Sequence, residues 1–102
     1  MMAVVGRSPI RDSIARKLKE LLAPSLLEIE DVSAQHAGHA GVQSGAAETH
    51  FNVKIVTSAF IGQSLVHRHR RVYEILQDEL KGGVHALSIV AKTPSELEKP
   101  KS

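Results

Sequence analysis

The strictest constraint on the fold is a run at residues 50–57 in which apolar and polar side chains alternate. Phe51, Val53 and Ile55 are its apolar members, and His50 is one of the polar residues between and before them. Successive side chains of a strand point to opposite faces, so this run predicts a strand with one buried and one solvent-exposed face. His50 falls on the wet face, where a local hydrogen bond is favoured over a metal-binding role.

Two helical stretches and two further strands surround this run. Ser8 begins a helix with Pro9 at its first position, and apolar residues then share one face until Pro24 ends it. Residues 26–32 predict a strand with one wet face. Residues 65–81 predict a second helix, which two glycines end. Residues 84–91 carry aliphatic side chains on both faces, which predicts a strand contacted on more than one side.

The second helix carries one narrow apolar stripe. Its members are Val66, His69, Val72, Tyr73, Leu76 and Leu80. His69 lies near the centre of the stripe, so it is predicted to pack, whereas His67 points the other way and is predicted to be solvated. Arg68 and Arg71 fall outside the stripe and are expected to face solvent or a partner. Arg70 precedes Glu74 by one helical turn, a spacing that permits a surface ion pair.

The element order predicts a two-layer α+β sandwich with the order αββαβ. The first two strands form an antiparallel hairpin, and the second helix brings the third strand in parallel to the second. The result is a three-stranded mixed sheet with both helices on one face. Residues 33–49 lack any period and predict a mobile loop. The chain is expected to be one domain, ordered over about residues 8–96. The tail is expected to fray from Thr93 onward, and most of all over residues 97–102.

Composition narrows the functional classes. The 102 residues include six His and no Cys, so any soft-metal site must take its thiolates from elsewhere. The formal charge is only +2, which is weak for a dedicated nucleic-acid binder. No apolar run approaches the roughly 20 residues that span a bilayer. We therefore expect a soluble protein without a membrane partner, and no motif indicates an enzyme.

Several separated motifs resemble the BolA family in order and spacing. They are Glu48-Thr49-His50-Phe51, Phe60-Ile61-Gly62, Arg68-His69-Arg70-Arg71-Val72-Tyr73 and Val84-His85-Ala86-Leu87, with Leu76 and Leu80 before the last. The resemblance runs from about residue 8 to Glu96. It implies a fold similar to class II KH domains, a monothiol glutaredoxin as heterodimer partner, and a role in iron-sulfur cluster trafficking.

The resemblance also implies metal ligands. The family's second ligand position corresponds to His85, which by itself is typical of a polar residue at a strand end. The chain is similar to members whose loop carries a histidine, and His39 is favoured as that ligand, with His36 as the alternative. A [2Fe-2S] cluster would then be held together with thiolates of the glutaredoxin and of glutathione. The isolated chain is expected to hold no cluster. It is expected to be a monomer or a weak homodimer. Ligation requires neutral imidazoles, so assembly should weaken on acidification.

The alternative function is a KH-like, DNA-binding transcriptional regulator. Its candidate residues are Arg68, Arg70 and Arg71, around the start of the second helix. A GXXG match occurs at residues 38–41, but it lies between two strands, whereas KH domains clamp nucleic acid with such a loop between helices. The chain is expected in the cytoplasm, or in a mitochondrion or plastid if a targeting segment was removed.

Overall fold

The structure of the chain is a computed structural model, which describes residues 9–33 and 50–98. Its elements are α1 (Pro9–Leu22), β1 (Leu26–Asp31), β2 (His50–Val56), a 3₁₀ turn (Ser58–Phe60), α2 (Leu65–Ile75), α3 (Gln77–Lys81), β3 (Ala86–Lys92) and α4 (Pro94–Glu98). The three strands form one mixed sheet with β2 in the centre. The predicted α+β fold with a three-stranded mixed sheet is therefore confirmed.

The strand pairing follows the predicted topology. β1 runs antiparallel to β2, with Ile29 opposite Val53, and β3 runs parallel to β2, with His50 opposite Ala86. A parallel pair needs a long crossover, which α2 and α3 supply. As a result, the end of β1 and the beginnings of β2 and β3 meet at one edge of the sheet.

The core lies between the helices and one face of the sheet. The alternating residues Phe51, Val53 and Ile55 are all buried there, as their spacing predicts. The helices complete this cluster with aliphatic side chains, among them Leu18 of α1 and Val72 of α2. Aliphatic packing around two phenylalanines thus fixes which sheet face is covered.

The second helix differs from the prediction in two respects. A turn at Leu76 divides it into α2 and α3, so it is not continuous from 65 to 81. Its buried side also includes Arg68, whereas Val66 is 64% exposed. Arg68 can be buried because its guanidinium finds hydrogen-bond acceptors on other elements, a possibility that apolar periodicity does not register.

The turn at Leu76 brings a buried carboxylate against the first helix. Glu79 accepts hydrogen bonds from the Ser13 hydroxyl and from Lys17 Nζ, the latter at 3.0 Å. Burial raises the pKa of Glu79, but the hydrogen bonds from Ser13 and Lys17, a backbone hydrogen bond and the Lys17 charge together outweigh it, and the net pKa is lowered. The carboxylate thereby links α3 to α1.

The tail after β3 is folded over residues 93–98, so the prediction that it frays from Thr93 onward is wrong for these residues. Residues Pro94–Glu98 form α4. Thr93 Oγ1 accepts from the Glu96 amide at 3.3 Å, while Glu96 Oε1 accepts from the Thr93 amide at 2.9 Å. This reciprocal pair is a capping box, which starts a helix by satisfying amides that have no partner within it.

The third strand is buried on one face only, contrary to the prediction. Leu87 and Ala91 are buried, whereas Val90 on the opposite face is 46% exposed. The free edge of β3 is covered in part, since Tyr73 Oη donates to the Leu87 carbonyl and Arg68 Nη1 to the Ala91 carbonyl. Such capping limits unwanted pairing of an edge strand with another chain.

Two further expectations concern membranes and the long loop. Within the described ranges, every helix is too short or too polar to cross a bilayer. The predicted mobile loop falls, apart from Ser33, outside the described residues. The ends of that segment are joined, because the His50 amide donates to Ser33 Oγ at 3.0 Å and the Val32 amide to the His50 carbonyl at 2.9 Å.

Candidate functional site

Two histidines lie side by side where β2 and β3 begin. His50 is the first residue of β2, and His85 immediately precedes Ala86, the partner of His50 in the parallel register. Their ring centroids are 6.3 Å apart, with the ring planes inclined at 45°. His85 is exposed and His50 is half-buried, so a molecule at this edge of the sheet can reach the pair.

The predicted loop ligands are connected to this same edge through the chain. His36 and His39 lie outside the described residues, in the segment that leaves Ser33 and returns at His50. His50, which the sequence disfavours as a ligand, is the histidine that the structure places beside His85. The predicted parallel pairing of the two strands brings their starts to the same edge of the sheet. The register that sets His50 beside His85 is non-local, and the spacing of the two residues in the sequence does not give it.

The described part of the site is a pair and not a closed cage. Over residues 9–33 and 50–98, no group of three or more His, Cys, Asp or Glu side chains is arranged to hold a metal ion. The nearby strand end carries Asp31, whose Oδ1 accepts a hydrogen bond from the Ser33 amide at 2.9 Å. A metal or cluster held at this pair would therefore need further ligands from a partner, from water or from the segment with His36 and His39.

Arg68 does not belong to an exposed basic surface, and the prediction that it faces solvent is wrong. A role for Arg68 in nucleic-acid binding stays a prediction. The residue is only 6% exposed. Its Nη1 and Nη2 atoms donate to the two carboxylate oxygens of Glu96 at 2.7 and 3.0 Å, and Nε donates to the Gln63 carbonyl at 2.8 Å. The guanidinium holds the pKa of Glu96 at about 2, helped by the Thr93 amide. Arg68 therefore fixes α4 against α2 and β3.

The other two arginines remain on the surface. Arg70 is exposed, and Arg71 Nη1 donates weakly to the Ala59 carbonyl at 3.4 Å. With His67 they line a hollow of about 490 Å³ beside the start of α2. Among the described residues, no ion pair joins Arg70 to Glu74, so the surface pair that their spacing permits is not formed.

The two helix histidines lie away from the sheet edge. His67 is exposed as predicted, and its Nδ1 lies 2.9 Å from the hydroxyl of Ser64, the residue that caps α2. His69 is half-buried, and it lines a groove of about 710 Å³ between α2 and β3. Its packing role is thus at the wall of a surface groove and not in the centre of the core.

Sequence reasoning missed the residues that order the end of the domain. Thr93 and Glu96 have the spacing of a capping box, and Pro94 occupies the first helical position, where proline is favoured. This signal was present in the sequence. The two prolines and several charges of the tail obscured it, because they are also typical of a disordered end.

The fold and the histidine pair at the sheet edge define a small α+β protein with a candidate metal-binding edge. The family model of BolA-like proteins matches residues 18–96 of this chain. The chain therefore belongs to the BolA-like family. The class II KH-like assignment of the fold stays a prediction.

Named relatives and a solved structure agree with this membership. The chain is 62% identical over 87 residues to SufE-like protein 1, chloroplastic/mitochondrial, of Arabidopsis thaliana, a match covering 82% of this chain and 24% of that protein. It is also 62% identical over 81 residues to Protein BOLA1, chloroplastic, of the same plant, covering 78% of this chain and 51% of that protein. The structure of BolA1 from Arabidopsis thaliana superposes with a TM-score of 0.77 at 56% identity, covering 88% of this chain and 95% of that one. The chain thus spans from a quarter to half the length of these two curated relatives.

Proposed function

We propose that the protein is an adaptor in iron-sulfur cluster trafficking, which shares a bridging [2Fe-2S] cluster with a monothiol glutaredoxin and does not turn over a substrate. The observation that carries the proposal is the exposed imidazole of His85 at the sheet edge where the histidine-bearing segment is attached. Membership of the BolA-like family supports it.

The chemistry of the donors favours a shared cluster. The chain has no cysteine and so offers only imidazoles as soft-metal ligands. Iron-sulfur clusters accept imidazole in place of thiolate on one iron, which raises the reduction potential. The remaining ligands would be the glutaredoxin cysteine and glutathione, and His39 or His36 would complete the nitrogen set beside His85. In this scheme the cluster is cargo of the heterodimer.

The decisive experiment is anaerobic reconstitution of the chain with a monothiol glutaredoxin and glutathione. We expect a coloured heterodimer whose visible circular dichroism differs from that of the glutaredoxin alone. His85→Ala should change this spectrum and shorten the lifetime of the cluster. Separate His36→Ala and His39→Ala variants then identify which loop histidine contributes.

His67→Ala is the matched control, because His67 is also exposed but lies on α2 against Ser64. Its spectrum and cluster lifetime should equal those of the unmodified chain. Absence of a cluster-bearing heterodimer, or an unchanged spectrum and lifetime in His85→Ala, would contradict the proposed function.

DNA binding is the second candidate, supported by the hollow that Arg70, Arg71 and His67 line. Arg68 is not included among the candidate DNA-binding residues, because its guanidinium is paired with the Glu96 carboxylate. Titration of duplex DNA at several salt concentrations tests the idea. Specific binding should persist at physiological salt and should weaken in an Arg70→Ala, Arg71→Ala double variant. Binding that is lost steeply as the salt concentration rises and that does not depend on DNA sequence would contradict DNA recognition.

The site of action proposed for the chain is an organelle. Two relatives bear the names chloroplastic/mitochondrial and chloroplastic, which supports this proposal over the cytoplasm. Imaging the native gene product with a carboxy-terminal fluorescent tag in its own cells provides the test. Uniform cytoplasmic fluorescence would contradict an organellar site.

A further inference from the structure

We infer that His50 and His85 form a two-imidazole binding site for a late first-row divalent metal ion, with Zn²⁺ as the simplest case, on the chain by itself. The two rings are 6.3 Å apart between centroids at the beginnings of adjacent parallel strands. This site requires no partner and no iron-sulfur cluster. It differs from the proposed cluster site in using His50.

The backbone fixes the separation of the two side chains. His50 is opposite Ala86 in the β2–β3 ladder, and Phe51 is opposite Leu87 one residue further along. Both Phe51 and Leu87 are buried in the core, so the register of this strand end cannot slip without exposing them. The Ser33 hydroxyl accepts from the His50 amide and adds a further restraint. Only side-chain rotation is left to adjust the site.

The ring separation is close to what one shared metal ion needs. Zinc binds imidazole nitrogen at about 2.0–2.1 Å, which places each ring centre about 3 Å from the ion and the two centres about 5–6 Å apart. The observed 6.3 Å therefore requires side-chain adjustment on the order of 1 Å. Rotation about the side-chain bonds of an exposed and a half-buried histidine can supply it.

The donor set indicates which metals fit. Neutral imidazole suits Zn²⁺, Cu²⁺ and Ni²⁺ better than Ca²⁺ or Mg²⁺, which prefer oxygen ligands. Since the described residues supply no third donor of the metal-binding types, the other coordination positions are left to water or an added ligand. Open positions of this kind are typical of exchangeable metal sites and not of structural zinc.

The test is an NMR titration of the full chain with Zn²⁺, following the imidazole ring nitrogens of all six histidines. The His50 and His85 signals should shift together with one dissociation constant, while those of His67 and His69 stay in place. His50→Ala should weaken Zn²⁺ binding at His85 by about tenfold or more, because a chelating pair gains from its high effective concentration. His67→Ala is the control and should leave the titration unchanged.

The alternatives give different results. If His85 binds Zn²⁺ equally well in His50→Ala, or if the two histidines titrate with different constants, the inferred pair is wrong. A loss of binding in a His36→Ala, His39→Ala variant with retention in His50→Ala would assign the metal to the loop instead. Because the titration uses no glutaredoxin, its outcome is independent of cluster formation, and either proposal can fail alone.

Discussion

Arg68 and Glu96 form a two-pronged ion pair, in which each terminal nitrogen of the guanidinium donates to a different carboxylate oxygen. Arg68 lies on α2 and Glu96 on α4, and Arg68 also donates to the Ala91 carbonyl of β3. One buried side chain therefore joins three elements. Bidentate arginine-carboxylate pairs are shorter and more directional than single charged hydrogen bonds.

Replacing this arginine should destabilise the domain. Arg68→Gln removes the charge and leaves the Ala91 carbonyl with a poorer donor, so we expect the melting temperature to fall by about 4–8 °C, the shift that roughly 1 kcal/mol produces in a domain of this size. Arg70→Gln, an exposed change on the same helix, serves as control. Thermal unfolding followed by circular dichroism measures both, and equal melting temperatures would contradict a structural role for Arg68.

The same ion pair predicts acid sensitivity. The pKa of Glu96 is lowered to about 2, first by the hydrogen bond from Arg68 and then by the Thr93 amide. A carboxylate with a lowered pKa stabilises the fold above its ordinary pKa, and that stabilisation is lost as the pH falls through the folded value. The melting temperature of the unmodified chain should thus exceed that of Glu96→Gln at pH 7. The difference should shrink below about pH 4.5 and vanish only below about pH 2.

Loss of the capping box should unravel α4 first. Thr93→Ala removes the hydroxyl that accepts from the Glu96 amide, and such a change typically costs about 1 kcal/mol. Hydrogen exchange at the amides of Glu96 and Leu97 should accelerate, while exchange in β2 stays slow. Glu98→Gln is the control at an exposed position of the same helix, and equal exchange in the two variants would argue against the cap.

A buried hydroxyl where β2 ends offers a separate test of stability. Thr57 is 1% exposed, and its Oγ1 donates to the Leu22 carbonyl at 2.6 Å and accepts from the Ala59 amide at 3.1 Å. Thr57→Val keeps the shape but leaves both groups without this partner, which should cost about 1–3 kcal/mol in urea unfolding. The exposed Ser58→Ala should change the free energy of unfolding little. Similar values for the two variants would contradict the importance of this link.

The local patterns in the sequence predicted most of the fold. Alternation along residues 50–55 determined a strand and its buried face, and Pro24 and the two glycines after Lys81 determined where helices stop. These features depend on neighbours within one turn or one strand, so the chain encodes them locally. The prediction of a parallel third strand also followed, because a helical crossover between adjacent strands leaves few alternatives.

Polar contacts between distant residues were decided only by the tertiary structure. Apolar periodicity placed Arg68 in solvent, yet α4 supplies a carboxylate and β3 a carbonyl that make its burial favourable. The capping box at Thr93 could be recognised in the sequence. The Glu96 carboxylate that completes it is also held in place by Arg68, which the sequence did not predict. A long charged side chain can be buried when its partners are in place, and those partners lie far along the chain.

The candidate site, like the fold, was predicted in part from the sequence and decided in part by the tertiary structure. The sequence by itself determined that His85 lies close to the start of a strand, that cysteine thiolates are absent, and that the family resemblance is to BolA. Only the parallel register of β2 and β3 brought His50 within 6.3 Å of His85 between ring centroids. Hydrogen bonding between strands sets that distance, and strand pairing joins residues that no local pattern connects.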